Sequence, residues 1–62
     1  MSFNILFLDS QKVTEMFEDD NLNYLFKVDS IIFSDKISLK TYKLLKKGKF
    51  KKIKKLLSKN HE

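Results

Sequence analysis

The side chains that usually carry enzyme chemistry are scarce in this 62-residue chain. It has no Cys and a single His, His61, beside the end of the sequence. A nucleophile paired with a base, or a zinc site of thiolates and imidazoles, needs more residues of these types. One glycine, Gly48, is too few for a glycine-rich phosphate loop. Asp19 and Asp20 are adjacent acids, but a carboxylate metal site requires several converging oxygens. We therefore expect no catalytic residues, no metal and no cofactor, and a protein that acts by binding.

The charged side chains are the remaining chemistry, and they are segregated along the chain. Residues 1–35 hold seven acidic residues and two lysines, for a net charge of −5, whereas residues 36–62 hold eleven lysines and one acidic residue, for +10. The basic half could bind phosphates, and the acidic half could present a phosphate-like surface to a protein that binds DNA. Two solvated faces of opposite sign are the third interpretation. All basic residues are Lys, which supplies point charges without the bidentate contacts of Arg.

The length of the chain bounds its architecture. Sixty-two residues make one domain, and a domain of this size buries only about 60% of its unfolded surface. Without disulfides or metals, association with a second copy is the remaining way to reinforce the core, so we expect a homodimer. Apolar runs reach only four residues, as in Ile5–Leu8, far below the roughly 20 of a membrane span. No basic segment opens the chain as in a signal peptide, so we predict no membrane association and a cytoplasmic location.

The first half contains short apolar segments bounded by polar residues. Residues 3–8 predict a buried strand that ends at Asp9. Residues 10–20 are ambiguous. Val13, Met16 and Phe17 have helical spacing, with Ser10 as a possible N-cap, yet residues 13–17 also have the β-branched and aromatic content of a strand.

Two further elements are predicted before the basic half begins. Residues 19–23 are rich in Asp and Asn, which favour turns because their side chains hydrogen-bond the local backbone. Tyr24, Phe26 and Val28 alternate with their neighbours in the manner of a strand, which residues 31–33 would extend.

The second half has helical periodicity. Its apolar residues fall on one face of a helix, with lysines on the other face. The pattern allows a continuous amphipathic helix over residues 38–58. It equally allows a helix that ends with Gly48 as C′ residue, followed by a second element. The sequence therefore predicts an α+β fold in which a β-hairpin precedes an amphipathic helix, with residues 49–58 forming a basic C-terminal helix or strand.

A first resemblance covers residues 7–35. An FxDSxxVT segment, residues 7–14, runs into the acidic turn at residues 19–21, then into the aromatic segment at residues 24–26, and a Ser-Asp pair follows at residues 34–35. This order resembles the small dimeric uracil-DNA glycosylase inhibitors of Bacillus podophages. The resemblance implies a β-hairpin with residues 11–18 as a strand, then a helix and a final strand, paired into a dimer.

The same resemblance implies a mechanism of DNA mimicry. Acidic groups would stand in for phosphates and be steered into the positive groove of the enzyme. An apolar pocket would receive the side chain that the glycosylase inserts into the minor groove. The partner-binding residues implied are Glu15, Glu18, Asp19, Asp20, Tyr24, Phe26 and Tyr42. Two features depart from the family: it is acidic throughout, whereas this C-terminal third is basic, and residues 37–42 lack the acidic residue that the family carries near the aromatic one.

A second resemblance covers residues 37–50. Their Ser, Thr, Tyr and Lys pattern, ending in Gly-Lys-Phe, resembles the recognition helix and turn of excisionase-type helix-turn-helix proteins. It implies DNA contacts from Ser38, Lys40, Thr41, Lys43 and Lys47, and phosphate contacts from Lys51, Lys52 and Lys54, with residues 48–50 leading into a wing. The departures are the absence of Arg for reading guanine and about 17 residues separating this helix from a first helix at residues 10–20.

These observations lead to three functional hypotheses. The first is a non-enzymatic inhibitor, of phage origin, that binds a DNA-processing enzyme of the host or a competitor, with uracil-DNA glycosylase as the named target. The alternative is a small DNA-binding regulator that uses the Lys-rich C-terminal helix. The third is an interaction module without any link to nucleic acid.

Overall fold

The computed structural model describes residues 3–59, which form two strands, three α-helices and a 3₁₀ helix. In chain order these are β1 (Ile5–Leu8), α1 (Ser10–Glu18), the 3₁₀ helix (Leu22–Phe26), β2 (Ser30–Phe33), α2 (Lys36–Lys46) and α3 (Phe50–Lys59). The predicted α+β class is confirmed, as is the order of strands before the basic helical half.

The two strands pair in parallel, which corrects the predicted β-hairpin. In the register, Leu6 lies opposite Ile31 and Leu8 opposite Phe33. Parallel strands cannot be joined by a tight turn, because the chain must return to the starting end of the sheet. Here α1 and the 3₁₀ helix make that return, so the first half is a β-α-β unit.

The sheet has an inner and an outer face, set by alternation along each strand. Leu8 is fully buried, and Leu6, Ile31 and Phe33 pack against the core. The helices supply the rest of the interior, so that helices cover one face of the sheet. The buried apolar residues are Leu8, Val13, Leu22, Leu25, Leu45, Ile53 and Leu57.

Residues 10–18 are helical, so the strand that the first resemblance implies for residues 11–18 is wrong. The helical spacing prevails because Val13 is fully buried while Met16 and Phe17 pack against the core. The N-cap is Asp9 and not Ser10: the Asp9 carboxylate accepts the backbone N–H of Lys12 at 2.8 Å. An acid placed directly after β1 thus both ends the strand and begins the helix.

The strand predicted at residues 24–28 is a 3₁₀ helix in the structure. Leu22 and Leu25 are buried and three residues apart, which is one turn of a 3₁₀ helix. Tyr24 and Phe26 consequently point outward and are half exposed. The predicted turn is confirmed at residues 19–20, and residues 31–33 do form a strand.

The basic half is a helical hairpin, which decides between the two predicted alternatives. Gly48 has a φ of +70°, and its N–H donates to the Leu45 carbonyl at 3.0 Å. The N–H of Lys49 donates to the Leu44 carbonyl, also at 3.0 Å. These two bonds make a Schellman motif with Gly48 as the C′ residue. Residues 50–59 then form α3, so the final strand implied by the first resemblance and the wing implied by the second are both wrong.

One carboxylate joins the N-termini of two helices. Asp35 follows β2 and accepts the N–H of Ser38 at 2.8 Å through Oδ1, which caps α2. Its Oδ2 accepts the N–H of Ser10, in the first turn of α1, at 2.7 Å. Burial opposes ionisation of this carboxyl, but these backbone hydrogen bonds outweigh it, and the pKa of Asp35 lies below its ordinary value.

Candidate nucleic-acid interface

The exposed lysines of α2, α3 and the turn between them form one continuous basic stretch of the chain. Every lysine from residue 36 to residue 59 is exposed, and the segment contains no acidic residue. We call this set the lysine surface: Lys36, Lys40, Lys43, Lys46, Lys47, Lys49, Lys51, Lys52, Lys54, Lys55 and Lys59.

The hydrophobic pattern of each helix sets the direction of these lysines. Leu45 on α2, and Ile53 and Leu57 on α3, are buried in the core. The opposite sides of both helices must therefore face solvent. Four lysines of α2 and its C-cap recur at intervals of four, three and four residues, which places them along a single side of the helix; these are Lys36, Lys40, Lys43 and the C-cap Lys47.

A groove with a leucine floor lies between the two helices. Lys40, Lys43 and Lys47 line it together with Leu44 and Leu56, and its volume is about 340 Å³. Lys43 and Lys47 also line an adjoining depression with Lys46. Lysine stems cover apolar surface while their ammonium groups reach water, so the groove presents positive charge at its rim.

Electrostatic repulsion acts within the lysine surface. The Lys52 ammonium, with a smaller contribution from Lys47, lowers the pKa of Lys49 below its ordinary value. A site that already repels its own charges gains more from an anion than an ion-paired surface does. Lys46 is held differently, because its Nζ lies 5.5 Å from the centre of the Tyr42 ring.

The structure separates the DNA contacts implied by the second resemblance into two groups. Lys40, Lys43 and Lys47 are exposed and share the interhelical groove. Lys51 and Lys52 line a shallow depression at the start of α3, and Lys54 is exposed further along that helix. All six are accessible to a ligand.

Ser38 and Thr41 are not accessible, and their prediction as DNA contacts is wrong. Both side chains are 0% exposed. The Ser38 hydroxyl donates to the Asp35 carbonyl at 2.9 Å, and that of Thr41 donates to the Ile37 carbonyl at 2.8 Å. These two residues lie on the inner side of α2, where short hydroxyls bonded to the backbone can be buried without an unsatisfied group.

The acidic residues divide into those that accept backbone hydrogen bonds and a group at one end of α1. Asp9, Asp29 and Asp35 accept backbone N–H bonds from residues close in space. The others are exposed at the C-terminal end of α1, and we call them the acidic end: Glu15, Glu18, Asp19 and Asp20. These residues lie at the negative end of the helix dipole, and no basic residue lies in the last turn of α1.

A small pocket adjoins the acidic end. Its volume is about 70 Å³, and its lining is Phe17, Asp20, Leu22, Asn23 and Phe50. Sequence reasoning missed this combination, because Phe50 comes from the start of α3 and only the folded hairpin brings it beside α1. The rest of the pocket comes from residues close together in the sequence, and the position of Phe17 near the acidic turn was the available signal for it.

The aromatic residues implied by the first resemblance are only partly brought together. Tyr42 lies 6.3 Å from Phe26 and 5.4 Å from Phe33 between ring centres. Tyr24 lies outside this cluster and is half exposed. The cluster packs α2 against β2 and the 3₁₀ helix, and it does not line the pocket at the acidic end.

Within residues 3–59, no three metal-ligating side chains come together, and no helix has the length and apolarity to cross a membrane. Compared with known protein families, curated proteins and solved structures, the chain shows no match in any of the three.

Proposed function

We propose that this protein acts by binding nucleic acid, without catalysis, and that the lysine surface contacts phosphates independently of base sequence. The observation that carries the proposal is the exposure of eleven lysines on one helical hairpin that contains no acidic residue. The proposal includes a cytoplasmic location, in the host cell if the chain is phage-encoded.

Phosphates suit this surface better than base edges do. Each lysine that neutralises a phosphate releases a counterion, and this release drives sequence-independent binding. Arg offers a rigid planar fork for bidentate hydrogen bonds, whereas Lys supplies a flexible point charge, and the chain has no Arg. The two hydroxyls that could have contacted bases, Ser38 and Thr41, are buried. A regulator that selects one DNA sequence is therefore disfavoured relative to a general phosphate binder.

The test is fluorescence anisotropy of labelled duplex DNA, titrated with protein at about 50 and 200 mM salt. Four phosphate contacts, one for each lysine along the side of α2, would give a salt slope of about −3.6 and a loss of affinity of about 150-fold. An unrelated duplex of equal length should give the same affinity.

The matched variants keep the total charge equal. Lys43→Gln with Lys47→Gln removes two charges from the interhelical groove, and should reduce the slope to about −1.8. Lys12→Gln with Lys27→Gln removes the same charge from exposed positions in the acidic half and should leave the slope nearly unchanged. Equal effects of the two pairs would mean that only net charge matters, and absence of binding at the lower salt would exclude the proposal.

A second candidate function is inhibition of a DNA-processing enzyme by the acidic end. Its support is the position of four exposed acidic residues at the C-terminal end of α1, next to a small pocket lined by three apolar and two polar side chains. An enzyme with a positive DNA groove, such as uracil-DNA glycosylase, is the corresponding partner.

Uracil excision assays distinguish this candidate from coating of the DNA substrate. If the acidic end binds the enzyme, Asp19→Lys with Asp20→Lys should abolish inhibition, and undamaged competitor DNA should not restore excision. If the lysine surface covers the substrate, the same variant should inhibit at least as strongly as the unmodified protein, and competitor DNA should restore excision.

A further inference from the structure

The outer face of the sheet carries large apolar side chains that the described chain leaves uncovered. Phe3, Ile5 and Phe7 are 67%, 51% and 63% exposed, and Ile32 on the neighbouring strand is 45% exposed. The register places Phe7 directly opposite Ile32, so these four residues form one patch, which we call the outer face.

A parallel sheet is normally covered on both sides, and here the helices cover only one. Residues 3–8 and 30–34 contain no charged side chain, so the outer face offers nothing to a phosphate or to an acidic peptide.

We propose that the outer face is the contact surface between two copies of this chain, packed face to face. A two-fold axis brings the same uncharged patch of each copy together, which is the self-complementary arrangement of most dimers. Each copy carries a net charge of +5, and pairing through the sheet keeps like-charged lysines out of the contact, since these belong to the helices.

The exposed apolar area of the outer face is about half of what a standard dimer interface buries. Side chains of this size expose roughly 150–250 Å² when fully accessible, so the four exposed fractions together amount to about 400 Å² per copy. A standard interface buries about 800 Å² per partner, and four anchors thus supply around half of it, with the neighbouring backbone and polar rim as the remainder. The contact uses no residue of the lysine surface, so it holds whether or not nucleic acid is bound.

The first experiment measures mass by sedimentation equilibrium over a range of protein concentrations. We expect a dimer of about twice the 7.4 kDa of one chain. Ile5→Thr with Phe7→Thr should yield a monomer, because Thr suits a strand but removes the apolar contact. Phe50→Thr, at a similarly exposed aromatic residue on α3, should remain dimeric. Circular dichroism verifies that each variant keeps its helices.

A second experiment does not depend on the Thr variants folding. The chain has no Cys, so Ile32→Cys and Tyr24→Cys each introduce a single thiol at positions of nearly equal exposure, 45% and 43%. A flexible bis-maleimide should link two copies efficiently through position 32 and poorly through position 24. A mass of one chain at every concentration, equal cross-linking at both positions, or a folded dimer that persists in the Thr variant would each overturn the proposal.

Discussion

At the scale of single residues, two helix ends depend on a left-handed backbone. Gly48 ends α2 with φ +70°, and Asp20 occupies the same C′ position after α1 with φ +55°. The Asp20 and Asn21 N–H groups donate to the carbonyls of Phe17 and Met16 at 3.1 and 2.8 Å, as in the Schellman motif at Gly48. Glycine adopts this conformation freely, whereas a residue with a Cβ is strained.

Asp20→Gly should therefore stabilise the protein. Relief of the left-handed strain and removal of a negative charge at the end of α1 together predict a gain of about 1 kcal/mol in the free energy of unfolding. Urea denaturation at one fixed protein concentration measures it. Asp20→Asn is the control that removes only the charge, and it should give the smaller gain; a Gly variant less stable than the unmodified protein would contradict the assignment.

At the scale of helices and strands, the Asp35 carboxylate joins the N-termini of α1 and α2. It caps α2 and also accepts from the first turn of α1, 25 residues earlier. Loss of this side chain leaves backbone donors of two helices without partners in a partly buried location. The Asp9 carboxylate, by contrast, caps α1 alone and is exposed.

Asp35→Ala should cost about 2–3 kcal/mol and Asp9→Ala about 1 kcal/mol. The pKa of Asp35 is depressed in the folded chain, so the folded state binds fewer protons than the unfolded state near pH 4. The contribution of the Asp35 carboxylate to the free energy of unfolding is present above the pKa of the unfolded state and is lost as the pH falls through the pKa of the folded state. We expect urea denaturation between pH 6 and pH 2 to show that the difference in the free energy of unfolding between the unmodified protein and Asp35→Ala decreases at low pH. A difference that stays constant over this range would contradict the prediction.

Periodicity predicted the helices better than local resemblance did. The spacing of Val13, Met16 and Phe17 left helix and strand open for residues 10–20, and the helix prevails because it packs all three side chains into or against the core, whereas the short FxDSxxVT string has no such constraint. The 3₁₀ helix was missed because Tyr24 and Phe26 alternate as in a strand, and the burial of Leu22 and Leu25 prevails only once the core exists. Parallel pairing was not predictable, since it depends on contacts between segments 25 residues apart.

For the candidate site, the sequence predicted the exposure of the charged residues but not the burial of the hydroxyl residues. The exposed positions of Lys40, Lys43 and Lys47 follow from their place opposite the apolar stripe of α2. Ser38 and Thr41 were misassigned because a small polar residue can occupy either side of a helix when its hydroxyl bonds to the backbone.

At the scale of the whole molecule, the separation of charge dominates. Lysines of the helical hairpin repel one another, as the lowered pKa of Lys49 indicates. Salt shortens the screening length from about 30 Å at 0.01 M to about 8 Å at 0.15 M. The folded state concentrates these charges more than the unfolded chain does, so it gains more from screening.

Raising NaCl from about 10 to 150 mM should therefore raise the melting temperature at pH 7. At low salt, Lys43→Gln with Lys47→Gln should also raise it, because the variant removes repulsion. Lys12→Gln with Lys27→Gln should lower it, because these two lysines lie in the acidic half. Differential scanning calorimetry measures the melting temperature. Shifts of the same sign in the two double variants would contradict the explanation by charge separation.

The parallel pairing of β1 with β2 has a consequence for the order of folding. The α2–α3 hairpin needs only neighbouring residues, whereas each strand pair must close a loop of 25 residues, and distant contacts form more slowly. We expect the helical hairpin to form in the transition state and the strands to pair late. The outer face is then assembled last, and two copies can pair through it only after the strands have formed. We therefore expect refolding to show a helical phase whose rate is independent of protein concentration. A slower phase should follow, and its rate should increase with protein concentration because it includes the pairing of two copies.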